Sequence, residues 1–372
     1  MEHIPKSSKF IHIDSELSSS KVSSRISVSK DLKKYFLSYD YFSEYDELIL
    51  DKKSILNIPA LSIVLPLAWI TGADVYVEEL DETYAHSMNK VQEEYRKIYP
   101  KAPFKTRLIA KKQLKQNNCA KGTGLLFSGG VDSTFTLFDK IGLNPRLIMI
   151  FGVMDIPIEN TELQQQIKSR YTEFAKKENL KLNFIDTNAL NILNHERLRH
   201  LWGKYQERHE GDYWNGIGYS LGHISQVAPL SLKRFNKLFF AASYDAGHSV
   251  IKNPDASSPE VDEQIQWANL KVIHDSDLHR SEKVKRMSGF LKDKGILLRV
   301  CWSDAKYLTP GNLLNCSKCE KCLRTIVALI LAKVDPNKFG FNVDETTFEL
   351  MKFLLTEKVL TKKGIVITIS IV

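Results

Sequence analysis

Polar and apolar residues change their rhythm along the chain near residue 120. Upstream, "SSSKVSSRISVSK" is polar and serine-rich, the composition of an exposed strand or loop. "SILNIPALSIVLPLAWI" is apolar almost throughout and holds two prolines, which predicts a buried helical hairpin. "ADVYVEEL" reads as a strand. "DETYAHSMNKVQEEYRKIY" has an acidic start, apolar residues at helical spacing and a proline at its end. "FKTRLIAKKQ" returns as a strand, and "QNNCAKG" is the expected boundary. Residues 1–118 are therefore expected to form a smaller N-terminal α+β domain.

Downstream, short apolar runs alternate with longer amphipathic ones. Strands are predicted at 124–127, 147–153, 181–186, 237–243 and 296–301, and helices at 133–141, 161–178, 217–234 and 280–294. That alternation implies an α/β fold with a parallel sheet covered on both faces. Small residues at 216, 218, 220 and 222 predict a helix packed closely on that sheet. Residues 119–300 are expected to be the sheet domain, and 301–372 a cysteine-bearing segment with terminal helices.

Composition narrows the class. The chain has 372 residues, 43% hydrophobic and 26% charged, as soluble globular proteins do. Its longest apolar stretch, 58–70, is too short and too interrupted to span a bilayer, and the start lacks an apolar export core. The expectation is a cytoplasmic protein without a membrane partner. A net charge of +8 comes from 52 basic and 44 acidic residues spread along the chain. It suits a nucleotide as well as a nucleic acid, and no dense basic tract with interleaved aromatics favours the latter.

The stretch "GLLFSGGVDSTFTLF" (124–138) carries candidate chemistry. Gly129 and Gly130 permit a turn with positive φ and a close backbone approach to an anion. Ser128, Ser133 and Thr134 add hydroxyls, and the following helix start adds its partial positive charge. This is a phosphate cradle, though not of the GxxxxGK[ST] or GxGxxG type.

Five cysteines occur, Cys119 alone and Cys301, Cys316, Cys319 and Cys322 together. The Cys-x2-Cys-x2-Cys spacing with a fourth cysteine upstream points to a metal, zinc or an iron–sulfur cluster. On a helix further upstream, Arg280 and Lys283 share a face.

The six residues Ser128-Gly129-Gly130-Val131-Asp132-Ser133 resemble the SGGxDS pyrophosphate loop of the ATP pyrophosphatase superfamily. That resemblance implies a Rossmann-like, adenine nucleotide alpha hydrolase-like sheet domain, with ATP and Mg2+ as cofactors. It implies pyrophosphate binding by Ser128 to Thr134, with Asp132 helping to organise magnesium. Asp155, after the second strand, becomes a ribose or adenine contact, and Arg280 and Lys283 become catalytic cations at the phosphates. The cysteines narrow the resemblance to 7-cyano-7-deazaguanine synthases, which join this loop to a C-terminal four-cysteine zinc site. "NPDASSPEVDE" (253–263) is similar to their substrate segment, which implies that Asp255 and Glu260 contact a 7-deazaguanine carboxylate. Ser317 stands where that family has glycine, and residues 1–118 have no counterpart. Divergent members with added N-terminal regions occur in anti-phage systems. The chain looks like that branch, an ATP-dependent C–N ligase whose acceptor is ammonia or an amine of a partner protein. The competing expectation is a tRNA-modifying thiolase with the same loop, which needs a catalytic cysteine.

Overall fold

A computed structural model describes residues 9–154, 156–206, 212–241, 255–275, 278–301 and 314–356. Ten strands make one mostly parallel sheet: β1 (Phe10–Ser18), β2 (Lys21–Val28), β3 (Asp40–Tyr45), β4 (Asp74–Asp81), β5 (Leu108–Leu114), β6 (Thr123–Leu126), β7 (Arg146–Phe151), β8 (Leu182–Thr187), β9 (Lys237–Ala241) and β10 (Lys271–Asp275). Their order is β10-β9-β6-β7-β8-β3-β2-β1-β4-β5. The two chain segments meet where β3 pairs antiparallel with β8, so the sheet runs unbroken from one to the other. Near that junction Glu47 binds Arg146 and Arg234, both at 2.7 Å.

Twelve α-helical segments accompany the described strands. On the N-terminal side lie α1 (Lys53–Leu56), α2 (Ile58–Thr71) and α3 (Glu82–Ile98). Then come α4 (Val131–Lys140), α5 (Thr161–Lys177), α6 (His195–Trp202), α7 (Tyr219–Ile224), α8 (Ala228–Ser231), α9 (Pro259–Asp262), α10 (Arg280–Lys294), α11 (Glu320–Leu331) and α12 (Glu345–Thr356). Alternate residues of the central strands feed different cores. Leu126, Ile148, Ile185, Phe240 and Val272 join the core with α2, α3 and α7. Leu125, Met149 and Phe239 join the one with α5, α10 and α11. Burial on both faces explains why these strands read as continuous apolar runs, whereas β1 and β2 alternate.

Three expectations are corrected. The apolar stretch 54–70 is no hairpin: Asn57 keeps a right-handed helical conformation between α1 and α2, so the path hardly breaks. Pro59 sits in the first turn, where its missing N–H is not needed, and Pro66 is accommodated inside. The stretch 296–301 belongs to no ladder, because its backbone groups are claimed by the glycine loop and by Asn315. The fifth parallel strand is instead β10, a five-residue run with charged ends that gives little periodic signal. Finally, the glycines at 216 and 222 receive the rings of Trp202 and Trp214, which a Cβ at either position would overlap.

Counting β6 to β10 as first to fifth, the order is 3-2-1-4-5, a doubly wound arrangement. The direction of winding reverses between β6 and β9. The carboxyl end of β6 is therefore where such sheets bind ligands, and the glycine turn starts there.

Candidate functional site

Beyond β6 the chain turns at Gly129, whose φ of 75° belongs to the left-handed region. A side chain there would also strike the Tyr171 hydroxyl, which donates to the Leu297 carbonyl at 2.8 Å. Serine hydroxyls brace the turn. The Ser128 N–H donates to Ser133 Oγ at 3.2 Å, and the Gly130 N–H donates to Ser128 Oγ at 3.3 Å. Helix α4 then starts with Gly130 as its cap residue and no side chain capping it. Its first-turn amides thus retain capacity for an anion. Thr134, fully buried in that turn, has a hydroxyl with no hydrogen-bond partner. A buried unpaired hydroxyl is costly and unusual, and a bound ligand would satisfy it.

Asp132 points to two cations on α10. Arg280 Nη2 lies 2.7 Å from its Oδ2, and Lys283 Nζ lies 2.9 Å from its Oδ1. The three candidate catalytic residues are therefore brought together, beside the first turn of α4. Burial pushes the Asp132 carboxyl up, but Arg280 and Lys283 outweigh it and hold the group below the ordinary carboxylate range. The Lys283 side chain is 1% exposed, so its charge acts at low dielectric. These three groups carry a net positive charge next to an uncapped helix start, an arrangement suited to a polyanion.

The other expected site residues are not drawn into this cluster by any hydrogen bond or ion pair among the described residues. Asp155 lies outside the described residues. Asp255 is half-buried and accepts the Ser257 N–H at 2.9 Å. Glu260 is exposed on the single turn of α9.

The four clustered cysteines do converge. Their sulfurs lie within 4.8 Å of one another, with Cys301–Cys319 at 3.8 Å and Cys316–Cys322 at 3.9 Å. A tetrahedral ion with metal–sulfur bonds of about 2.3 Å has sulfur–sulfur edges of about 3.8 Å, whereas a disulfide needs about 2.05 Å. The residues are positioned to hold a metal ion. Amides turn toward the sulfurs: Cys319 N–H lies 3.2 Å and Lys318 N–H 3.5 Å from Cys316 Sγ. Cys319 caps α11 and Cys322 lies in its first turn, where the helix dipole favours thiolates. Ser317 adopts φ 57°, the conformation that glycine takes freely, and its hydroxyl accepts the Asn342 N–H at 2.8 Å.

One segment ties both centres. The Arg299 N–H donates to the Gly129 carbonyl at 2.8 Å. Asn315, fully buried, accepts the N–H groups of Val300 and Cys301 at 2.9 and 3.2 Å, and donates to the carbonyls of Leu298 and Gly340, each at 2.8 Å. Neither Asn315 nor Tyr171 was legible as a functional residue. The signal available was the asparagine directly before Cys316, and its meaning depends on contacts 14 or more residues away. Comparison with protein-family models, curated proteins and solved structures finds no match for this chain. No described helix is long and apolar enough to cross a membrane.

Proposed function

We propose that the chain is an ATP-dependent ligase that adenylates a carboxylate and joins it to an amine, releasing pyrophosphate and AMP. The observation that carries this reading is the six-residue loop at the winding reversal. It precedes an uncapped helix with the unpartnered Thr134 hydroxyl, beside Arg280 and Lys283. Loop amides and the two cations gather the negative charge of the terminal phosphates and hold the α-phosphate open to attack. A substrate carboxylate oxygen attacks that phosphorus and pyrophosphate leaves. The amine nitrogen then attacks the acyl carbon and AMP leaves. Asp132 keeps both cations in place. Its oxygens retain further lone pairs, so it and the hydroxyls of Ser128 and Ser133 are hard donors that suit magnesium, which supplies charge neutralisation at the pyrophosphate.

Zinc suits the cysteine cluster best, since four thiolates in a closed tetrahedron are its structural preference. Such an ion would pin residues 296–301 against the loop. The similarity of residues 253–263 to the synthase substrate segment supports a 7-deazaguanine carboxylate as substrate, with Asp255 and Glu260 facing the base. Ammonia or an amine of a partner protein is the acceptor, and anti-phage defence is the setting that the resemblance suggests.

The test is thermal stabilisation. With a non-hydrolysable ATP analogue present, 7-carboxy-7-deazaguanine raises Tm more than guanine does, Glu260→Gln weakens that gain, and pyrophosphate release depends on the carboxylated base. No shift at saturation, together with tight tRNA binding, would replace this reading by the thiolase one.

A further inference from the structure

A second buried carboxylate stands on the opposite face of the sheet from α4. Asp262, in α9, is fully buried. Its Oδ2 accepts the Ser257 hydroxyl at 2.8 Å and lies 2.7 Å from His274 Nδ1, while its Oδ1 has no hydrogen-bond partner. Leaving one oxygen of a buried carboxylate unsatisfied costs stability, so packing alone gives no reason to keep this group. The bond to Nδ1 fixes the ring's orientation and leaves Nε2 as the working nitrogen. Among the described residues Nε2 has no hydrogen-bond partner. The His274 side chain is nearly buried, 6% exposed.

Strand register fixes where this pair lies. Leu126, Phe240 and His274 form one row across β6, β9 and β10. Two strand spacings, about 10 Å, therefore separate His274 from Leu126, two residues before Ser128. Side chains of one row share a face, so His274 looks away from α4. The next residue, Asp275, looks toward α4, where it accepts the Thr136 hydroxyl at 2.6 Å and meets Lys140 at 3.5 Å. Among the described residues Glu263 accepts the His274 backbone N–H at 3.2 Å, and Tyr95 lies within electrostatic reach of Asp262.

We propose that His274, oriented by Asp262, is the general base for the acceptor amine. The inference rests on the ligase reading and adds the residue that its second step requires. An amine attacking the acyl-adenylate forms the C–N bond as the C–O bond to AMP breaks, and its surplus proton must leave. His274 Nε2 takes that proton, and the Asp262 carboxylate stabilises the resulting imidazolium. A base near the carboxyl end of β10, two strands from the one that leads into the glycine loop, can serve an acyl group held beyond that edge of the sheet without competing with Arg280 and Lys283.

Two measurements on the full chain test this. The first is independent of the reaction: diethyl pyrocarbonate labelling followed by peptide mass spectrometry. His274 is labelled in the wild type, and Asp262→Asn slows that labelling severalfold; an unlabelled His274 overturns the proposal. The second is the ratio of amide formed to pyrophosphate released, with ammonium as acceptor. In His274→Ala this ratio falls about 10²-fold or more, as for loss of a general base, and added imidazole partly restores it. His274→Asn keeps a donor for Asp262, should the alanine variant not fold, and shows the same fall. An unchanged ratio in either variant, or a loss in His274→Ala that imidazole does not relieve, overturns the proposal. Absence of pyrophosphate release from the wild type overturns the ligase reading, and this inference with it. Labelling of His274 in that case shows that the failure lies in the reading rather than in the geometry of the pair.

Discussion

The glycine loop and the cysteine cluster lean on the same stretch, residues 296–301, yet they are built to opposite ends. At the cluster the donors are turned inward: four sulfurs converge, amides face them, and Asn315 closes the backbone around them. The loop leaves capacity unused, with a helix start that no side chain caps and a buried hydroxyl without a hydrogen-bond partner. A centre meant to hold its occupant spends its polar groups on the fold, and a centre meant to bind and release keeps them for a ligand.

That contrast is sharpest at Cys319. Cys319→Ser removes one of four sulfurs positioned to hold a metal ion, and such ions supply about 10 kcal/mol or more of folding free energy in small zinc domains. The expected outcome is loss of soluble protein and release of the ion, read by elemental analysis; a folded, active, metal-free variant would break the comparison.

Asp132→Asn falls next. Removing one partner of a buried ion pair costs about 3 kcal/mol. On the proposed ligase reading, loss of the organised cations also lowers pyrophosphate release about 10²-fold. The wild-type carboxyl is held below its ordinary value of 3.8. Its contribution is therefore present above that value and fades as pH falls through the lower folded one. Chemical denaturation across pH should show the two proteins differing most above pH 4 and converging in stronger acid.

Gly129→Ala costs more than about 2 kcal/mol, combining left-handed strain with the lost Tyr171–Leu297 hydrogen bond. Denaturant midpoints measure it. A cost confined to strain would mean that Tyr171 yields, and that the two centres are coupled less tightly than the contacts imply.

The smallest effect is at Ser317. Glycine there relieves about 1 kcal/mol of strain but forfeits a hydrogen bond of similar worth, so the net change is under about 1 kcal/mol. A larger loss would mean that the Asn342 contact does more for the cluster than its geometry suggests.

Much of this was readable from local pattern. Helices α4, α5 and α10 match their expected spans within two residues, because amphipathic spacing and helix-end chemistry are local properties. The glycine turn and the cysteine spacing were readable for the same reason: each needs its residues close together in the chain. Five-residue β10 was not, since so short a run carries too few periods to tell a strand from a loop.

The amino-acid sequence alone thus determined the turn, the donors and the alternation that builds a parallel sheet, all set by residue type over a few neighbours. Tertiary structure alone decided that β3 joins β8 in one sheet, that Asp132 meets Arg280 and Lys283, that Asn315 braces both centres, and that Asp262 holds His274. Those contacts link residues 12 to 151 positions apart. Their free energy depends on burial and register, which exist only once the chain has closed on itself.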